Sequence, residues 1–139
     1  MRNAKVELFD VALKGCDGCG LRIPNSTSAT SVVATRCEFS NSNFGAIVRG
    51  MSKFNNCVFH DNEADGIRVS QSTIHLHGEA TEIHSNKWDG ISAYNFAKVI
   101  IHLPSYHNTT YNNGGQDRYT AVGGRKGTIT NVEDEEENN

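Results

Sequence analysis

The stretch "CVFHDNEADGIRV" (57–69) sets two short runs of alternating apolar residues on either side of a polar turn that ends in Asp65-Gly66. Taken alone it describes a β-hairpin, because an Asp-Gly pair between two alternating runs is a strong short-range hairpin signal. The chain repeats it, however, as "TEIHSNKWDGISA" (81–93) and more loosely as "CEFSNSNFGAIV" (37–48). A hairpin has no reason to recur in this way. A coil of a solenoid does, and the spacing decides between them.

Alignment on the glycine before each final apolar pair gives Gly20-Leu21-Arg22-Ile23, Gly45-Ala46-Ile47-Val48, Gly66-Ile67-Arg68-Val69 and Gly90-Ile91-Ser92-Ala93, spaced by 25, 21 and 24 residues. A period in the low twenties belongs to stacked coils. Upstream of each glycine a second alternating pair recurs: Val11 and Leu13, Cys37 and Phe39, Cys57 and Phe59, Thr81 and Ile83. A third run precedes these, carrying Val6 and Leu8, Val32, Phe54, then Ile74 and Leu76. Alternation with period two turns one face of each run inward, so every coil has three short strands joined by polar turns. Asp65-Gly66 and Asp89-Gly90 then lead into the next parallel strand, with glycine expected to supply a backbone conformation that other residues resist.

This pattern resembles the right-handed parallel β-helix repeat of the pectin-lyase-like superfamily, within its uncharacterised repeat group, over residues 3 to about 132. The predicted fold is all-β, a solenoid of about five to six coils. Asn41, Asn62 and Asn86 each stand four residues before a repeat glycine. With coils about 4.8 Å apart their amides resemble the superfamily's asparagine ladder, and Cys16 takes the equivalent place in the first coil. Residues 1–132 form one domain, irregular from about residue 103, where "LPSYHNTTYNNGGQDRYTAVGG" loses the compact spacing and reads as a terminal coil and cap. Residues 133–139 read as an acidic disordered tail.

Composition fits a thin core: 139 residues, of which only 37% are hydrophobic. Net charge is −3, but five of the 16 acidic residues lie in "EDEEE" (133–137), so 13 basic residues face 11 acidic ones in the body. That density does not suit nucleic acid, and no apolar run approaches membrane-spanning length. No signal-peptide pattern follows Met1. The sequence points to no compartment. Cys37 and Cys57 recur at one repeat position beside Phe39 and Phe59, which predicts stacked, inward, reduced thiols. The C-x-x-C of "GCDGCG" (15–20) is half a zinc site at most and lacks a partner pair. Sequons occur at Asn25 and Asn108.

For chemistry, the resemblance implies specific signatures, and the chain carries few of them. "RIPNST" (22–27) meets only part of the R-x-P-x-x-R string of lyases, "FHDN" (59–62) does not reproduce the Asp-Pro-His-Asp segment of epimerases, and no hydrolase Asp-Asp, Gly-His-Gly or Arg-Ile-Lys string is present. The outward columns, Arg22, Ile47, Arg68, Ser92 and Ala12, Glu38, Val58, Glu82, lack the threonine rows of an ice-binding face.

Histidine is the enriched feature. In "TIHLHG" (73–78), His75 and His77 face outward between inward Ile74 and Leu76, and aligning "STIHLH" with "AKVIIH" stacks His102 on His77. These three form a weak metal candidate, while His60 stacks on His84. Asp61, Asp65 and Asp89 form a conceivable calcium grouping, but calcium needs six or more oxygens and the supply is thin. Two functional classes remain. One is a non-enzymatic scaffold or interaction module, as a piece of a longer solenoid or self-associating through the first coil in "NAKVELFDVAL" (3–13), where nothing upstream covers the strands. The alternative is a carbohydrate-binding or lyase/epimerase-like domain contacting polysaccharide through Arg68, Trp88 and Tyr94. No cofactor, nucleic acid or membrane is expected.

Overall fold

The computed structural model describes residues 4–25, 30–103, 110–120 and 125–133. The sequon at Asn108, most of the "LPSYHN" segment and the acidic run after Glu133 lie outside the described residues. Three parallel sheets run the length of the molecule. The first contains β1 (Ala4–Phe9), β4 (Thr30–Thr35), β7 (Ser52–Asn55), β10 (Thr73–His77), β13 (Lys98–Leu103) and β16 (Thr128–Glu133). The second contains β2 (Ala12–Lys14), β5 (Glu38–Ser40), β8 (Val58–His60), β11 (Glu82–His84) and β14 (Thr110–Tyr111). The third contains β3 (Cys19–Ile23), β6 (Phe44–Val48), β9 (Ile67–Ser70), β12 (Ile91–Tyr94) and β15 (Arg118–Thr120). The chain visits the sheets in strict rotation, which makes five three-strand coils and the opening strand of a sixth. No helix among these residues is long and apolar enough to cross a membrane.

Like stacks on like because each strand pairs with the same strand one coil away. Ala46, Ile67 and Ile91 are in register, as are Val48, Val69 and Ala93, and all six are fully buried. Phe39 lies on Phe59 with ring centroids 4.6 Å apart and planes 10° from parallel, and Phe54 meets both edge-on at 6.1 and 5.3 Å. Burying each of these rings contributes on the order of 2–3 kcal/mol, beyond which the offset and edge contacts suit aromatic quadrupoles. Cys37 and Cys57 are free and buried in the same core, and burial pushes the Cys57 thiol up to about 11.

The corners depend on left-handed residues. Between the first and second sheets Asp10, Arg36 and Asn56 have φ of 55°, 53° and 54°, and Gly78 takes the same corner at 101°. Between the second and third sheets Gly15, Asn41, Asp61, Ser85 and Asn112 have φ of 71°, 53°, 54°, 58° and 55°. Asn and Asp tolerate this region better than other non-glycine residues, which explains much of the asparagine content of the turns.

Asn41 therefore belongs to the corner and not to the ladder expected from its offset. It is exposed, and the rung in its coil is the next residue, Ser42, whose N–H donates to Asn62 Oδ1 at 3.1 Å. The cause is a turn one residue shorter: Ser42 stands three places before Gly45, whereas Asn62 and Asn86 stand four places before Gly66 and Gly90. Asn62 Nδ2 donates to Asn86 Oδ1 at 2.8 Å and to Phe39 O at 3.2 Å; Asn86 Nδ2 donates to Asn113 Oδ1 at 2.9 Å and to Phe59 O at 3.2 Å. Asn113 ends the run by donating to the Asp117 carboxylate at 2.9 Å. At the other end the Cys16 N–H donates to Ser42 Oγ at 3.0 Å.

The repeat glycines serve close approach and not an unusual conformation, since neither Gly45, Gly66 nor Gly90 has positive φ. A Cβ on Gly66 would meet Ile83 Cγ2, Asn86 Nδ2 and Gly90 O, each at 2.8 Å. The backbone must pass directly against the ladder of the next coil. Replacing Asn62 by alanine removes the bonds of its side-chain amide to the Ser42 N–H, Phe39 O and Asn86 Oδ1 in a buried turn, while the Asn62 backbone N–H still reaches Asn86 Oδ1. The expected cost is about 1–3 kcal/mol, read as a lower Tm in thermal denaturation; an unchanged Tm would show that the ladder carries no stability.

Candidate functional sites on the three outer faces

On the first sheet, alternation puts Ile74 and Leu76 in the core and His75 and His77 outside on β10. Parallel register sets His75 against Ile100 and places His102 of β13 one coil from His77. The His77 and His102 rings stack with centroids 3.8 Å apart, and His75 Nδ1 lies 2.8 Å from His102 Nε2. One donor atom from each ring lies within 4.8 Å of the other two, and all three residues are half-buried. Burial lowers the pKa of His75, with the charge of His102 and of Lys53, its register partner on β7, acting in the same direction.

On the third sheet, Arg68, Trp88 and Tyr94 belong to one aromatic patch that also contains Phe44 and Tyr119. The Arg68 guanidinium carbon sits 4.7 Å from the Tyr94 ring centroid and 5.6 Å from that of Phe44. Trp88 meets Phe44 edge-on at 6.3 Å and remains 55% exposed, and Tyr119 lies 5.9 Å from Tyr94. Beneath the patch Asp65 is buried; it accepts the Ser92 hydroxyl at 2.7 Å and the Asp89 N–H at 3.0 Å, and burial raises its pKa. Ser92, read as an outward residue, is covered there completely.

The calcium grouping does not assemble. Asp89 accepts the Gln116 N–H at 2.8 Å, whereas Asp61 sits at the corner after the second sheet, bonded to His60. Asp65 and Asp89 each hold a backbone N–H of the following coil, and Asp61 holds His60 of its own.

The second sheet carries a column that sequence reading only half found. His60 and His84 stack at 5.2 Å, and Tyr111 continues the stack at 4.9 Å. Tyr111 follows the segment where the repeat spacing fails, which hid its register. The Tyr111 hydroxyl donates to Glu82 at 3.3 Å. Both ring nitrogens of His60 face carboxylates, Nε2 to Glu38 at 2.8 Å and Nδ1 to Asp61 at 2.5 Å, and Lys14 holds the other Glu38 oxygen at 2.7 Å.

This cluster sets a pH dependence. Burial lowers the His60 pKa, but the hydrogen bonds to Glu38 and Asp61 outweigh it and leave a net rise from 6.5. Bonds from Lys14 and His60 hold Glu38 below 4.5. The imidazolium contribution is present below the ordinary histidine value and is lost as pH rises through the raised one. The Glu38 contribution is lost as pH falls through its lowered value. His60→Gln should therefore lower Tm more at about pH 6 than at about pH 9. Thermal melts of both proteins across that range measure it, and a pH-independent difference would contradict the ion-pair assignment.

A search of the curated proteins and of the solved structures returns no significant match. The family described as "Right handed beta helix region" matches residues 2–133, nearly the whole chain and every described strand. With coil-by-coil parallel pairing in three sheets, stacked inward columns and a turn ladder, the chain is a member of the right-handed β-helix family.

Proposed function

We propose that this β-helix is a non-enzymatic interaction module whose first coil pairs with a second copy of the chain. The observation that carries the reading is the contrast between the first coil and the second. Inward Val6 is 45% exposed, and Leu8, Val11, Leu13 and Leu21 are only partly buried, whereas Ala34, Phe39 and Ala46 one coil on are fully buried. β1, β2 and β3 are also the terminal strands of their sheets, so one backbone edge of each has no strand partner among the described residues. Apolar side chains beside open strand edges are the combination that invites pairing. Two copies meeting at this end satisfy each other in a closed two-fold pair. The turn carboxylates support the non-enzymatic part, since Asp65, Asp89 and Asp117 each hold a backbone or side-chain hydrogen of the coil architecture.

Light scattering across a concentration series tests this. The expected result is a monomer–dimer equilibrium that Val6→Lys displaces towards monomer while the far-UV circular dichroism of the folded chain is unchanged. A strictly monomeric chain at every concentration, with first-coil amides protected from hydrogen exchange, would overturn it.

A second reading rests on Trp88, which offers an exposed indole beside Arg68 and Tyr94 and suits a polysaccharide carrying carboxylates. Trp88 is the only tryptophan, so its emission reports this patch alone. Titration with uronate polymers should shift the emission, and Arg68→Ala should abolish the shift. Emission unchanged by uronate and neutral polymers alike removes the carbohydrate reading.

A further inference from the structure

We propose that His75, His77 and His102 form a binding site for one divalent transition-metal ion of the zinc class, with three imidazole ligands and a solvent-facing fourth position. The three side chains come from two adjacent strands whose backbones are fixed by the parallel ladder, His75 and His77 on β10 and His102 on β13. Their donor atoms already lie within 4.8 Å of one another. Nitrogens about 2.0–2.1 Å from a tetrahedral zinc ion stand about 3.3 Å apart, so the donors close by side-chain rotation, and the stacked rings of His77 and His102, 12° from parallel, tilt apart to aim their lone pairs at one ion. The His75 Nδ1 to His102 Nε2 contact of 2.8 Å is shorter than that spacing. There one nitrogen carries a proton and the other accepts it. When a metal ion enters, that proton moves to the other nitrogen of its own ring, which stays neutral, and both facing nitrogens then direct lone pairs at the cation.

The donor set selects the metal. Three imidazoles suit zinc, copper and nickel, whereas calcium and magnesium require oxygen ligands. A zinc ion held by three protein ligands takes water in its fourth position. The surroundings work against tight binding: Lys53 and Ile100 flank His75 in register, and Val132 stands in register with His102. An ammonium beside a divalent cation weakens the site, which makes Lys53 a built-in modulator of affinity.

Zinc titration of the full, tag-free chain by calorimetry, with cobalt as a spectroscopic substitute, provides the test. One equivalent should bind, and cobalt should develop the visible absorption of a tetrahedral site. His102→Ala should weaken zinc binding by at least about tenfold, since loss of even an outer-shell partner of a ligand costs about that much. Lys53→Ala should strengthen it, and His84→Ala, on another sheet, should leave it unchanged. Nitrogen chemical shifts of the wild-type imidazoles give a readout independent of any variant's folding: His75, His77 and His102 should move on zinc addition and His60 and His84 should not. Absence of zinc binding, affinity unchanged in His102→Ala, or shifts confined to His60 and His84 would overturn the assignment.

Discussion

Everything in this molecule depends on the in-register parallel hydrogen bonding of one coil to the next. It sets coils at about the strand spacing of 4.8 Å, close enough for a side chain to touch its counterpart above and below and for little else to fit. Each column must then be populated by residues that tolerate a copy of themselves. Inward columns solve this with aliphatic groups and the three phenylalanines, and turn columns with amides that donate one way and accept the other. The outer faces solve it with flat rings: histidine on histidine, tyrosine on histidine, arginine over tyrosine.

The same constraint explains what was legible in the amino-acid order. Inward residues of the middle coils, from Cys37 to Ala93, follow from alternation and a common glycine, because burial acts on every second strand residue; Ser40 and Ser92, of outward parity and fully buried, depart from that rule. The His75, His77 and His102 grouping is legible for the same reason, as outward position and coil offset are both readable from sequence. Asn41 misleads because the offset was counted from a glycine across a turn of variable length. Asn113 escapes notice because Asp117 occupies the glycine column of its coil, in register with Gly90 through the Ile91–Arg118 pairing. Corner residues such as Arg36 and Ser85 gave no signal; a left-handed φ there is imposed by the bend and not preferred by the side chain.

The faces differ in character although one repeat builds them all. The first sheet presents imidazoles beside a lysine, the second a chain of ion pairs around His60, the third an arginine clasped by aromatic rings. Most outward residues stand clear of the core and the turn ladder and can vary with little effect on stability; His60, with its ion pairs, and Ser92, bonded to buried Asp65, are exceptions. A β-helix can thus carry unrelated surface chemistries on one framework, and fold membership alone does not select among them.

The amide run from Ser42 to Asn113 has a direction. The coil-to-coil amide bonds run in one sense, Asn62 Nδ2 to Asn86 and Asn86 Nδ2 to Asn113, and end on the Asp117 carboxylate, while Nδ2 of each amide also donates to a carbonyl of the preceding coil, Phe39, Phe59 or Ile83. The aligned amide dipoles add, so the run has a positive pole at its C-terminal end, and hydrogen bonds linked in series polarise one another. The Asp117 carboxylate sits at that pole. The relation matches an acidic side chain at the start of an α-helix, here achieved by side chains across coils, and it gives the solenoid an electrical axis that its parallel backbone does not by itself require.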